Sequence, residues 1–387
     1  MTLREELEIL RGEPIKVFTG DPMDIPCIET SDPEKLCRHP VVSVHMITYN
    51  HEPYIRQAIE GVMMQKTDFE FELVIGEDCS TDKTREICFE YQKKHPDKIR
   101  VLWWHENVSK HGGNGGRVLS RCRGQFIAFC EGDDYWTDPL KLQKQVDVMR
   151  QKENVGLCFG VADSLNETTK SMTLGEPYAR SLVVMPGAQF NAMRGCGKGL
   201  KIIKHFFDEN QIRTLTALCR ASVLRKVVAG HADVFSWRLY VGDFLIWMML
   251  ATMSDVAFLP DKVGVYRVHP GGITSRKLAA VRMDCRLLIA YFNMTQEEMS
   301  LEDAIAIPGN LEKTFFEFAE SRTALSQVRS AWVAREIGFW AKELRQYRSG
   351  LHWVLLNCGL LRRFMVDAID GLPVGLRKVV KAMAKGR

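Results

Sequence analysis

The segment QFIAFCEGDDYWTDPLKLQKQ, residues 125–145, sets the consecutive acids Asp133 and Asp134 at the end of an apolar run and ahead of an aromatic pair. Adjacent carboxylates repel, so keeping both ionised beside an apolar strand end requires a cation, hydrogen-bond donors or water. Mg2+ and Mn2+ favour oxygen ligands and commonly join one or two carboxylates to phosphate oxygens, the chemistry that a nucleoside diphosphate leaving group demands. The alternative is a solvated turn whose acids cap a helix. Tyr49 with Asn50, and Glu77 with Asp78, close two further apolar runs. Asp243 opens the apolar stretch GDFLIWMMLA. A first-turn acid gains there from the positive end of a helix, and a positioned carboxylate can also act as a general base. His269, in VGVYRVHPGGITS, can ligate Mn2+ when neutral, neutralise phosphate when protonated, or simply hydrogen-bond within a loop beside Pro270. Arg267 offers a forked phosphate contact or a structural salt bridge.

These residues need strand ends and helix starts to hold them. VVSVHMI reads as a buried strand followed by a TYNHEPY turn and a helix over 54–65. FEFELVIGED is a second strand, with Ser80 or Asp82 capping the helix after it. IRVLWW and GQFIAFCEGDD supply a third and fourth, separated by the glycine-rich KHGGNGGR and a short helix. Asp138 and Pro139 fit the start of the next helix. Strand–helix alternation implies a mostly parallel sheet with helices on both faces, where ligands bind beyond the carboxyl ends of the strands. QIRTLTALCRASVL reads as a strand turning into a helix. Trp136 fits either a sugar face or the core. HGGNGGR lacks the ending of a phosphate-binding loop, and RGCGKGLK lacks the strand a dinucleotide site needs, so both read as loops.

The whole chain sets wider bounds. Its 387 residues, 46% hydrophobic and 26% charged, are those of a folded protein with a sizeable core. Eleven cysteines without a Cys-x-x-Cys pair argue for reduced thiols and a cytoplasmic setting. MTLREELEILRGEP has no continuous apolar core, which argues against a secretory signal, and no stretch is long and apolar enough to span a bilayer. Residues 1–39 read as a short helix and an irregular, peripheral leader broken by Pro14, Pro22, Pro26 and Pro33. The net charge of +4 is concentrated near the end, at Arg362, Arg363, Arg377, Lys378, Lys381, Lys385 and Arg387, which points to a local partner and not to nucleic acid. From Thr314 onward the chain reads as helical, either a basic amphipathic surface for the inner face of a membrane or a cover packed on the domain.

Residues 41 to about 150 resemble the nucleotide-binding half of family 2 glycosyltransferases. VSVHMITYNHEPYIRQAIEGVMMQ is similar to that family's opening strand, Tyr-Asn turn and first helix. FELVIGEDCSTDKT is similar to its second strand and Ser-x-Asp segment, and GQFIAFCEGDDYWTDPLKLQKQ to its aspartate motif. The resemblance implies an α/β fold of GT-A type, a Rossmann-like mixed sheet flanked by helices. It also implies a domain over 40–312, with a nucleotide-binding half at 40–150 and an acceptor half at 151–312, before a helical extension at 313–387. It implies that Tyr49 stacks near the donor base, with Asn50 beside it. Asp78 would accept a hydrogen bond from the base, Asp133 would hold the ribose side, and Asp134 would be the main ligand of Mn2+ or Mg2+ together with His269. Glu77 stands where many relatives carry Asp. Asp243 would remove the acceptor proton, with Thr214, Thr216 and Arg220 lining the acceptor side. The implied reaction is inverting transfer of a sugar from a nucleoside diphosphate, UDP first, to a hydroxyl of a glycan or lipid-linked saccharide. Two other classes remain open at this stage: a nucleotidyltransferase, and a nucleotide-sugar-binding protein without turnover.

Overall fold

A computed structural model of the chain describes residues 25–111, 113–177, 180–185, 212–231, 235, 242–273 and 275. All of them fall within 16–298, one of the two units into which the chain divides. The expected helices after Thr314, the basic terminal cluster and the RGCGKGLK loop lie outside the described residues.

The centre is a parallel sheet. Strand β1 is Ile28–Thr30, β2 Val42–Thr48, β3 Phe71–Glu77, β4 Ile99–Trp103 and β5 Phe126–Phe129. Strands β2, β3, β4 and β5 pair in parallel in the order β4-β3-β2-β5. Parallel neighbours need crossovers. Helices α1 (Ile55–Met63), α2 (Thr84–Lys94) and α3 (Asn114–Arg121) lie between successive strands. The buried positions of α1, Ile55, Ala58, Ile59 and Val62, repeat at one helical face and meet the apolar strand residues Val42, Val44 and Met46. Each such large aliphatic side chain contributes about 1.5–3 kcal/mol by leaving water.

The second half is mixed rather than parallel. It adds β6 (Tyr135–Trp136), α4 (Lys141–Gln151), β7 (Val155–Asn166), β8 (Ser171–Thr173), β9 (Val183–Met185), β10 (Leu218–Arg220), α5 (Ala221–Gly230), α6 (Gly242–Met253) and β11 (Asp255–Val268). β10 runs antiparallel to both β5 and β7, while β11 runs parallel to β7 and antiparallel to β6 and β9. Helix α6 is apolar on nearly every side and is correspondingly buried. No helix among the described residues is long and apolar enough to cross a membrane.

One segment read as peripheral leader is part of the sheet. β1 pairs antiparallel with β4, and Glu29 clasps Arg100 through a fork of 2.7 and 3.0 Å. Arg100 also reaches Glu72 at 3.2 Å, so a three-residue strand is held by a half-buried ion network that no local pattern announces.

Candidate functional site

The ladder register decides where the polar residues gather. Thr48 of β2 stands opposite Glu77 of β3, which stands opposite Trp103 of β4, so the three carboxyl ends are level. The chain then turns at Tyr49–Asn50 and at Asp78–Cys79 on the same edge. Asn50 and Cys79 take left-handed φ values of 54° and 60°. Asn tolerates that region better than most residues. Asn50 is tied across the gap, its N–H donating to Ser80 Oγ at 3.0 Å and its Oδ1 accepting the Thr81 N–H at 2.8 Å. Tyr49 stays 43% exposed, leaving a ring face open to solvent.

Glu77 and Asp78 have different neighbours. Glu77 is buried, pairs with Arg85 and accepts the Ser80 N–H at 2.6 Å, so it fixes the turn. Asp78 accepts the N–H groups of Val108 and Ser109 at 2.6 and 3.1 Å and the Ser109 hydroxyl. Burial pushes the Asp78 carboxyl up against these donors. Neither expected cap for α2 holds the cap position, which falls to Lys83; Asp82 sits one residue earlier, where its Oδ1 accepts the Thr84 N–H at 3.0 Å and its Oδ2 accepts the Glu52 N–H. The glycine-rich run is loop only in part, since α3 begins at Asn114 and the Gly115 carbonyl meets His45 Nε2 at 2.9 Å.

The acid turn follows β5 and bends back over β2, where the Gly132 N–H donates to the Ile47 carbonyl at 2.9 Å. Its two aspartates diverge. Asp133 Oδ2 lies 3.1 Å from His269 Nε2 and 3.7 Å from His51 Nε2. Burial alone would raise its pKa, but the His269 hydrogen bond and the two imidazoles hold its carboxyl below the ordinary value. Asp134 is 2% exposed and turned into the protein, with Oδ1 accepting the Arg267 backbone N–H at 2.8 Å. Burial, with Asp133 and Glu131 adding repulsion, pushes it well above the carboxylate range. Of the two, Asp133 joins the histidines; the residue expected as main metal ligand, Asp134, instead anchors β11, because consecutive residues of the turn face opposite sides. Asp138 precedes its helix by more than a cap position: α4 begins at Lys141, and Asp138 Oδ1 accepts the Leu140 N–H at 2.9 Å.

His269 follows β11 and packs against Tyr54 with ring centroids 4.7 Å apart and the planes tilted by 52°. Arg267 is fully engaged, its guanidinium donating to Glu167 at 2.8 Å, to the Asp133 carbonyl at 2.7 Å and to Gln57, between the rings of Tyr135 and Tyr54. Its role is the structural one of the two left open by the sequence. Asp243 stands in the first turn of α6, where Oδ2 accepts the Thr214 hydroxyl at 2.9 Å. The Thr214–Thr216 turn is pinned from below by Trp136 Nε1 on the Leu215 carbonyl and Gln145 Nε2 on the Thr216 carbonyl, both at 2.8 Å. Trp136 is therefore core, and Arg220 spends its guanidinium on the carbonyls of Val155 and Met149 at 3.1 and 2.8 Å.

Two residues that the sequence reading passed over belong here. His51, two positions after Tyr49, closes a His51–Asp133–His269 group whose ligand atoms all lie within 4.8 Å of one another. Glu131 has a buried Oε2 with no hydrogen-bond partner among the described residues. Burial, then Asp133 and Asp243, push its carboxyl up to about 8, so these three acids share one electrostatic cluster. The signals were adjacency to the Tyr-Asn turn for His51 and the spacing of two from Asp133 for Glu131.

Comparison with known proteins fits this arrangement. The family model Glycosyl transferase family 2 matches residues 43–203. The uncharacterized protein Rv1520 of Mycobacterium tuberculosis is 32% identical over 299 residues, 77% of this chain and 75% of the relative. The uncharacterized glycosyltransferase alr2836 of Nostoc sp. is 26% identical over 310 residues, 76% of this chain and 85% of its own. Among solved structures, residues 1–349 of S. aureus TarS in complex with UDP-GlcNAc superpose with a TM-score of 0.54 at 18% identity, over 75% of this chain and 79% of that one, a likeness of fold. On the family match, the extent of the mycobacterial relative and the shared sheet, the chain belongs to glycosyltransferase family 2 and is a glycosyltransferase with the mixed α/β fold of GT-A type.

Proposed function

We propose that the protein moves a sugar from a nucleoside diphosphate donor, UDP in the first instance, to an acceptor hydroxyl with inversion at the anomeric carbon. The acceptor class is a glycan or lipid-linked saccharide. The observation that carries this reading is the gathering of His51, Asp133 and His269, with ligand atoms all within 4.8 Å of one another, at the carboxyl edge of the sheet, with Asp133 and Asp243 both acting on the buried Glu131. In open α/β sheets that edge is where ligands bind.

Tyr49 supplies a stacking face for the base, and Asp78 a carboxylate for its N–H once a loop donor gives way. Asp133 and His269 would hold a divalent cation, and their oxygen and imidazole donors suit Mn2+ or Mg2+ beside phosphate. Bound there, the cation supplies positive charge against the charge growing on the departing diphosphate. Asp243 takes the acceptor proton while the acceptor oxygen forms its bond to the anomeric carbon. The bond from that carbon to the diphosphate oxygen breaks with its electron pair on the diphosphate, so a single displacement balances without an enzyme-bound sugar. Thr214 orients Asp243 by donating to Oδ2.

The test is Asp243→Asn, assayed for sugar transfer and, by calorimetry, for donor binding. Transfer should fall at least about 10²-fold, the usual size of a lost general base, with donor affinity within about twofold. Transfer at the wild-type rate would remove Asp243 from the mechanism. Release of pyrophosphate instead of a nucleoside diphosphate would replace sugar transfer by nucleotidyl transfer.

A further inference from the structure

We infer that His51 is a third protein ligand, so that the cation resides in the protein before the donor arrives and is a transition-metal ion in preference to Mg2+. The inference deepens the metal reading above and rests on it for the roles of Asp133 and His269. A site with one carboxylate borrows most of its shell from water and substrate phosphate; a site with two imidazoles and a carboxylate does not.

Three features of the geometry support this. Ligand atoms held side by side on one ion at bonds of about 2.1 Å stand about 3 Å apart. The separations here are 3.1 Å from Asp133 Oδ2 to His269 Nε2 and 3.7 Å from Asp133 Oδ2 to His51 Nε2. The second feature is the support behind the His51 ring. His51 Nδ1 lies 3.2 Å from Thr48 Oγ1, and donation from that nitrogen leaves the Nε2 lone pair facing Asp133. Outer partners of this kind set tautomer and ring orientation in metal-binding histidines. The third is space made by glycine on both sides. A Cβ on Gly132 would sit 3.0 Å from His51 Nδ1, and one on Gly271 would sit 3.0 Å from His269 Nδ1. Each imidazole is thus closely hemmed by glycine backbone, where an added Cβ would press on the ring.

The donor set also decides among ions. Imidazole nitrogen suits first-row transition metals, whereas Mg2+ keeps oxygen ligands and water. His51 also sits on the turn that carries Tyr49 and Asn50, so a resident ion braces the base-stacking turn through its own ligand.

The experiment is Mn2+ titration of the full-length, metal-stripped protein by electron paramagnetic resonance, with no nucleotide and again with UDP. Variants are His51→Ala, His51→Gln and Asp133→Asn, each checked by thermal unfolding. The backbone N–H of His51 donates to Thr84 Oγ1 at 2.8 Å whatever the side chain, so the turn survives the substitutions. The expected result is one Mn2+ bound without nucleotide, weakened at least about tenfold in both His51 variants, on the scale reported for lost support of metal sites. Mg2+ should displace it only at roughly 100-fold excess or more. Mn2+ binding that needs UDP, or that is unchanged in both folded His51 variants, overturns the inference while leaving the Asp133–His269 reading standing. No Mn2+ binding with UDP present overturns both.

Discussion

Lys141 heads α4 beneath the acid turn with its ammonium wholly enclosed, donating to Gln145 Oε1 at 2.8 Å and lying 4.2 Å over the Trp136 ring. Burial pushes its pKa from 10.5 down to about 7, against the opposing pull of Cys130, Cys158, Cys219 and Asp138. The unfolded chain keeps that proton until about pH 10.5 and the folded chain releases it near 7. Between those values the unfolded state binds more protons, so this group makes the fold more stable as pH rises. At about 1.4 kcal/mol per pH unit the shifted lysine costs the fold about 5 kcal/mol at pH 6.5 and about 1 kcal/mol at pH 9.5. Lys141→Met removes that cost. It also strands the Gln145 side-chain oxygen, at about 1–3 kcal/mol at either pH. The variant is therefore expected to be more stable than wild type by about 2–4 kcal/mol at pH 6.5 and equal to it or less stable by up to about 2 kcal/mol at pH 9.5. Urea unfolding of both proteins at pH 6.5, 8 and 9.5, followed by circular dichroism, reads the difference at each pH, in which every other titration cancels. A difference that stays constant across the three values would refute a buried, titrating lysine. Turnover supplies a second check, because Gln145 Nε2 still holds the Thr216 carbonyl in the variant and Asp243 keeps its Thr214 partner.

Two glycines give further tests. Gly132→Ala drives a Cβ to 2.6 Å from Thr48 Oγ1 and 3.0 Å from His51 Nδ1. It should cost about 1–3 kcal/mol in stability and weaken Mn2+ binding with it; unchanged metal affinity and melting temperature would contradict the packing described. Gly76→Ala, in β3 away from the acid turn, meets Val118 Cγ2 at 2.2 Å and Asn114 Oδ1 at 2.4 Å. Its cost, about 1–3 kcal/mol, should appear in urea unfolding with metal affinity within about twofold of wild type, and a selective loss of metal binding would place Gly76 in the site instead.

The first half of the fold was legible because its strands are continuous apolar runs and its helices follow turn residues. VVSVHMI appears as Val42–Thr48 and the helix expected over 54–65 as Ile55–Met63. In the second half the strand turning into a helix at QIRTLTALCRASVL appears as Leu218–Arg220 and Ala221–Gly230, but β6, β8 and β9 were not legible, because they have only two or three residues each and owe their existence to partners distant in sequence. β1 is the same case, since its stability comes from Glu29 on Arg100 and not from its own composition.

The acid turn shows where a sequence motif stops short of chemistry. The pattern EGDD locates the site, but the register between turn and sheet decides which carboxylate is presented. Here the Gly132 N–H is fixed to the Ile47 carbonyl and the Asp134 N–H to the Glu131 carbonyl. With those two bonds set, Asp133 faces His51 and His269 while Asp134 faces the backbone of Arg267. Burial raises both of these adjacent and chemically identical groups, and the two imidazoles separate them, one held below the carboxylate range by His269 and His51 and one pushed well above it without them. Burial that pushes the Asp134 carboxyl up where it anchors β11 also eases the repulsion that made the pair look costly in the sequence. The demand for a cation thereby narrows to Asp133, the carboxylate that already has imidazoles beside it.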